Sequence, residues 1–195
     1  MSDITPDSTD VFLGALEEQL AARGERFELV VIGGAGLQAL GVIQRSTRDI
    51  DIIALRAGED LTKAEPLPDG LEAARDLVAR DFQLSTDWLN PGPTDMLDLG
   101  IPDGFIDRLE RRDYGEALTI YLASRYDQIH FKFYAAVDSR GPGKHEKDLW
   151  ALEPTEAELL DAARWSCTHD ISPAHAETVR RALEFFGVKD VDLGT

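Results

Sequence analysis

The spacing of apolar residues changes character near residue 123. Before it, short apolar runs alternate with helical stretches; after it, the period is helical throughout. Phe12, Leu13, Leu16 and Leu20 predict an amphipathic helix over 9–23, closed by Gly24. "FELVVIGG" (27–34) reads as a buried strand ending at a double glycine, and "AGLQALGVI" (35–43) as a short helix behind it. "RDIDIIAL" (48–55) is a second strand, and a looser acidic segment with Pro66 and Pro68 precedes a helix near 70–80. "DFQLSTDWL" (81–89) predicts a third strand, "NPGPTD" a loop, "IPDGFIDRLE" a short helix and "ALTIYLA" (117–123) a fourth strand. Four helices follow: "RYDQIHFKFYAAVD", with Tyr126, Ile129, Phe133 and Val137 on one apolar face, then segments opening at Lys144, after Pro154 and at Ser172-Pro173. The order predicts an α+β fold, with a core over 1–123 and a helical C-terminal part over 124–195 packed as one unit with it.

One strand breaks its own pattern. In "RSTRDIDIIAL" (45–55) two aspartates sit in a β-branched run, although aspartate is a poor strand former and like charges on one face repel. Side chains alternate along a strand, so Asp49 and Asp51 share one face, about 7 Å apart, while Ile50 and Ile52 point to the other, toward the core. Such a pair serves either as the exposed face of an edge strand or as ligands for a divalent ion, which removes the repulsion. Gly33 and Gly34 add to the picture. They follow a buried strand and precede a helix, where glycine lets backbone approach a ligand closely, although a tight turn needs the same residues.

Composition narrows the classes. The formal net charge is −17, which argues against broad binding to nucleic acid and leaves room for a local basic patch or a cationic ligand. Cys167 is the single cysteine, so neither an internal disulfide nor a cysteine zinc site is expected. The polar, acidic start "MSDITPDSTD" lacks the features of a signal peptide, and no apolar run has membrane-spanning length; a cytoplasmic location with no membrane partner is expected.

The order strand–Gly-Gly–helix–strand–Asp-x-Asp in "VIGGAGLQALGVIQRSTRDIDIIAL" resembles the signature of the DNA polymerase β-type nucleotidyltransferase fold. Its Arg-x-Thr-x-Asp-x-Asp form, Arg45 to Asp51, is similar to the AbiEii toxin-type group and its bacterial relatives. "HFKFYAAVDSRGPGKHEKDLWAL" and "PTEAELLDAARWSCTHD" resemble their downstream segments, so the likeness covers roughly 25–190. It implies a mixed sheet with flanking helices and a Mg²⁺- or Mn²⁺-dependent transfer of a nucleoside monophosphate from an NTP to an acceptor hydroxyl. Asp49 and Asp51 match the metal pair, Gly33 and Gly34 the phosphate-side turn, Lys132 a helix lysine on the triphosphate and Asp148 a later acid of the group. Asp87 stands where the fold often carries a third carboxylate on a neighbouring strand, with Asp95 and Asp98 as competitors. The toxin-type likeness implies a tRNA or protein acceptor and an antitoxin partner. Ala35 departs from the Ser or Thr of many relatives, removing a hydroxyl from the nucleotide grip.

The residues themselves allow further readings. Arg45 and Arg48 flank the carboxylates and suit a triphosphate, while Arg140, Lys144, His145 and Lys147 form a cationic cluster suited to phosphate or to a solvated helix start. Lys132 lies at the edge of an apolar face, where lysine commonly snorkels to solvent. Trp88, Trp150, Trp165 and Cys167 read as core. An acidic surface also fits a small cationic acceptor such as an aminoglycoside, and a degenerate fold would leave a binding module.

Overall fold

The computed structural model describes residues 3–138, 143–189, 191 and 193. The chain divides into two compact units, Met1–Ser124 and Arg125–Thr195. In the first, α1 (Pro6–Arg23) opens on a reciprocal cap between Thr5 and Ser8 and closes at Gly24, whose φ of +69° suits glycine. It buries Phe12, Leu13, Leu16 and Leu20, the stripe the spacing predicts. Then come β1 (Phe27–Ile32), α2 (Gly33–Ala39), β2 (Ile50–Ala57), β3 (Asp60–Thr62), α3 (Asp69–Phe82), β4 (Leu89–Asn90), α4 (Met96–Leu99), β5 (Glu110–Asp113) and β6 (Leu118–Leu122).

The strands form one mixed sheet of order β3-β2-β1-β6-β5, and β4 lies beside the start of β2. β1 runs parallel to β6 and antiparallel to β2; β4 runs parallel to β2. The apolar cluster gathers Leu29, Val31, Ile50, Ile52, Ile120 and Leu122 from the sheet with residues of α1 and α3. Ile50 and Ile52 are fully buried there, as alternation predicts. The register of β1 on β2 shifts between Val30 and Val31, a bulge that breaks strict alternation beyond Ile52.

Two predicted elements differ. The strand over 81–89 is instead the end of α3, an αL residue at Gln83 and a 3₁₀ turn at Thr86–Trp88, leaving only Leu89 and Asn90 to pair. The α3 stripe of Leu71, Ala74 and Val78 carries the helix past residue 80, which outweighs the strand propensity of the following residues. The helix at 101–110 is a 3₁₀ turn, Ile106–Arg108, and "ERRD" beyond it is edge strand β5, whose charged side chains hide its pairing with β6 from any apolar pattern. β3 is a further short edge strand that the apolar pattern misses.

The second unit holds α5 (Arg125–Asp138), α6 (Lys144–Ala151), α7 (Glu156–His169) and α8 (Pro173–Phe185). α5 is buried on nearly every side from Asp127 to Phe133 rather than along one stripe. α7 opens on a Thr155–Glu158 capping box, and Arg125 closes onto Glu158 while donating to the Leu152 and Glu153 carbonyls. No helix of the described residues is long and apolar enough to cross a membrane.

The connection from α2 to β2 is held by one buried side chain. Gln38, 4% exposed, donates through Nε2 to the carbonyls of Arg45 at 2.7 Å and Ile4 at 3.2 Å, and its Oε1 accepts from Thr9 at 3.4 Å. Ile4 and Thr47 exchange two backbone bonds of 2.8 Å. The loop before the aspartates is thereby tied to the N-terminal segment and to α1. Replacing Gln38 with Leu removes donors from two buried carbonyls and should cost about 1–3 kcal/mol in urea unfolding; an unchanged midpoint would show that the loop is held otherwise.

Candidate functional site

The end of β1 and the start of β2 lie side by side, with Ile32 opposite Asp51. Gly33 follows at φ +74°, a conformation that L side chains rarely adopt. A methyl group there would also collide with the Asp51 carboxylate, and one on Gly34 would stand 2.8 Å from the Thr47 hydroxyl. Gly33 thus suits both its backbone conformation and the close approach of Asp51, and Gly34 the close approach of Thr47. At α2 the cap position is Ile32, which offers no side-chain acceptor to the first turn.

Asp51 is half-buried and its Oδ1 accepts from Asn90 Nδ2 at 2.8 Å. Asn90 is oriented in turn by the Gly92 N–H, which donates to its Oδ1 at 3.0 Å. That Asx turn fixes which end of the amide faces Asp51. Asp49, also half-buried, sits just before β2, and Thr47 Oγ1 donates to its Oδ1 at 3.5 Å. Arg45 lies along the same loop, donating to the Ser46 carbonyl at 3.1 Å with its other nitrogen near Gly34. Arg48 is exposed. The structure therefore brings Gly33, Gly34, Arg45, Asp49 and Asp51 together. It adds Thr47 and Asn90, for which sequence reasoning assigned no role.

Asp87 does not stand on the strand beside Asp51. It is exposed on the 3₁₀ turn, and the residue paired with Asp51 on β4 is Asn90. The signal for Asn90 was the dipeptide that follows it, since Asn-Pro-Gly is Asx-turn chemistry. Asp95 and Asp98 are exposed and share Lys63, at 2.9 and 2.5 Å. Ala35 is 2% exposed and part of the apolar cluster, so its methyl group is core packing surface.

Among the described residues, no three His, Cys, Asp or Glu side chains form a metal-holding group. Two carboxylates nonetheless fit Mg²⁺ or Mn²⁺, hard ions that keep water and substrate phosphates in their other positions. A cavity sized for a preformed all-protein cage is not needed.

In the second unit, Lys132 and Asp148 form a buried ion pair, Nζ to Oδ2 2.8 Å, with side chains 6% and 1% exposed. The lysine neither snorkels nor reaches out to solvent. Beside them, burial first and the Lys132 ammonium second push the His145 imidazole below its ordinary value, which favours its neutral form. Lys144 and Lys147 are exposed; Arg140 lies outside the described residues. Trp88 is fully buried and Cys167 nearly so, whereas Trp165 is half-buried and Trp150 is 52% exposed, which corrects its reading as core.

A family model described as a nucleotidyltransferase of unknown function (DUF6036) matches residues 12–141. No curated protein and no solved structure matches the chain.

Two outcomes test this geometry. Lys132→Met strands a buried carboxylate and should cost about 3–5 kcal/mol, while the double variant Lys132→Met, Asp148→Leu should recover most of it in thermal or urea unfolding. Asn90→Asp places a third carboxylate against Asp51, so its melting temperature should fall below the parent's in EDTA and rise more steeply with added Mg²⁺; equal Mg²⁺ responses would separate the pair from any metal role.

Proposed function

We propose that this chain, which belongs to the DUF6036 nucleotidyltransferase family, moves a nucleoside monophosphate from an NTP to an acceptor hydroxyl with Mg²⁺ or Mn²⁺ as cofactor. The observation that carries the reading is the contact of the Gly33-Gly34 turn with the loop of Asp49 and Asp51. A phosphate chain held there would meet the Asp49 and Asp51 carboxylates through a bound ion, with the Arg45 and Arg48 guanidinium groups of the same loop as cations for its charge. Asp49 and Asp51 would be the metal ligands, and the bound ion would neutralise triphosphate charge and polarise the α-phosphate.

The chain's own part is mainly positioning. Thr47 and Asn90 hold the two carboxylates in their rotamers, and the Gln38 bonds hold the loop that presents them. The acceptor oxygen forms a bond to the α-phosphorus as the bond to the bridging oxygen breaks, and pyrophosphate leaves. Among the described residues no third His, Cys, Asp or Glu joins the pair as a metal-holding group, and the residue paired with Asp51 on β4 is Asn90, which is not ionisable. Lys132 and Asp148 act as a structural pair in this reading, not as triphosphate ligands.

The acceptor is a tRNA or protein hydroxyl if the toxin-type likeness extends to substrate, with an antitoxin as the chain's partner, and a small cationic molecule if the acidic surface selects it. Incubation with each α-labelled NTP and Mg²⁺, together with RNA, protein or an aminoglycoside, should label one acceptor class. Asp49→Asn and Asp51→Asn should each lower labelling at least ~100-fold with an unchanged circular dichroism spectrum. Full activity of either variant would sink the proposal. Asn90 in place of a carboxylate favours one second reading, a nucleotide-binding module without transfer. Calorimetric NTP binding without labelling of any acceptor would select it.

A further inference from the structure

Helix α6 carries two lysines and two acids, of which one is half-buried at the helix cap and the other is buried. Glu146 bends back so that its Oε2 accepts the Gly143 N–H at 2.6 Å, capping the helix. Asp148 is buried against Lys132. The side left to solvent carries Lys144, Lys147 and Trp150, three residues apart each time and so within about a third of the helix circumference. Trp150 is 52% exposed, and Phe185, 55% exposed, lies beside it at 6.4 Å between ring centroids. Phe186, only 8% exposed, supports the indole from below at 4.9 Å. An aromatic ring held by such neighbours and half open toward solvent is a platform, and ordering it further costs little side-chain entropy.

We propose that this face of α6 binds a short stretch of single-stranded nucleic acid, with unpaired bases stacked on Trp150 and Phe185 and phosphates on Lys144 and Lys147. The ligand must combine planar rings with spaced negative charge. A duplex offers only its charge to such a face, and two lysines on a chain of net charge −17 neutralise too little of it. A single strand gains from stacking on every base, whatever its sequence. As the docking face for a nucleic-acid acceptor, this surface rests on the transferase reading; as a binding face it does not, because binding requires neither NTP nor metal.

The test uses the full chain without NTP or divalent ions, titrated into a twelve-nucleotide single-stranded RNA of mixed sequence with a 5′ fluorophore, while the anisotropy of the RNA label reports affinity for parent and variants and tryptophan fluorescence is followed in the parent. The expected result is quenching of the exposed indole. Trp150→Ala should weaken binding about 5- to 150-fold, the effect of losing one stacked base, and Trp150→Phe should restore most of the affinity. Lys144→Gln with Lys147→Gln should lower the slope of log affinity against log salt by about 1.4, at ~0.7 for each phosphate contact. Absence of binding, unchanged affinity and slope in these variants, or preference for a duplex of equal length overturns the proposal. Tighter binding of a poly-glutamate peptide of matched charge also overturns it and assigns the face to an acidic protein. Asp51→Asn should bind the RNA like the parent, so loss of transfer and loss of RNA binding are read separately.

Discussion

The Asp51 carboxylate occupies space that any side chain at position 33 would fill, and this contact sets the geometry around it. It requires glycine at the end of β1 and places the start of α2 directly against the start of β2. It also explains why an acid is tolerated in a strand whose other face is core. Asp51 is flanked by backbone and by the Asn90 amide, so the carboxylate has a donor within the sheet rather than a like charge. Asn90 in turn is set by the Gly92 N–H, and the Asx turn is therefore part of the support for the acid.

The loop that completes the site is long, and its order depends on polar contacts made in the interior. Gln38 is nearly fully buried and serves two carbonyls and a hydroxyl. A buried amide of this kind is costly unless satisfied, and once satisfied it specifies one arrangement of the segments it joins. The second unit repeats the principle with charge: Lys132 and Asp148 satisfy one another where either alone would be untenable. That pairing also removes an acid from the solvent side of α6, where Lys144, Lys147 and Trp150 are exposed.

Much of the fold was legible. The α1 stripe, the β1 and β6 runs, α2, α3, β2 and the four C-terminal helices follow from apolar spacing and from caps such as Thr155 and Ser172. The segments that escaped are those where pattern and structure diverge for a physical reason. β5 is made of "ERRD", charged because it is an edge, and β4 pairs through two residues that no periodicity can announce. The misplaced strand over 81–89 shifted the expected third carboxylate to Asp87 and concealed Asn90.

By itself the sequence determined the local chemistry: two aspartates at the start of one strand, isoleucines between and after them on its core face, and glycines where a strand turns into a helix. These follow from backbone geometry, which depends on near neighbours alone. Only the tertiary structure decided which groups meet. It set Asn90 beside Asp51, Thr47 beside Gly34, and Lys132 against Asp148, across separations of 39, 13 and 16 residues, because strand register and helix packing are chosen by burial over the whole unit. It likewise decided that Trp150 stands in solvent while Trp88 is core, a distinction that residue type does not carry.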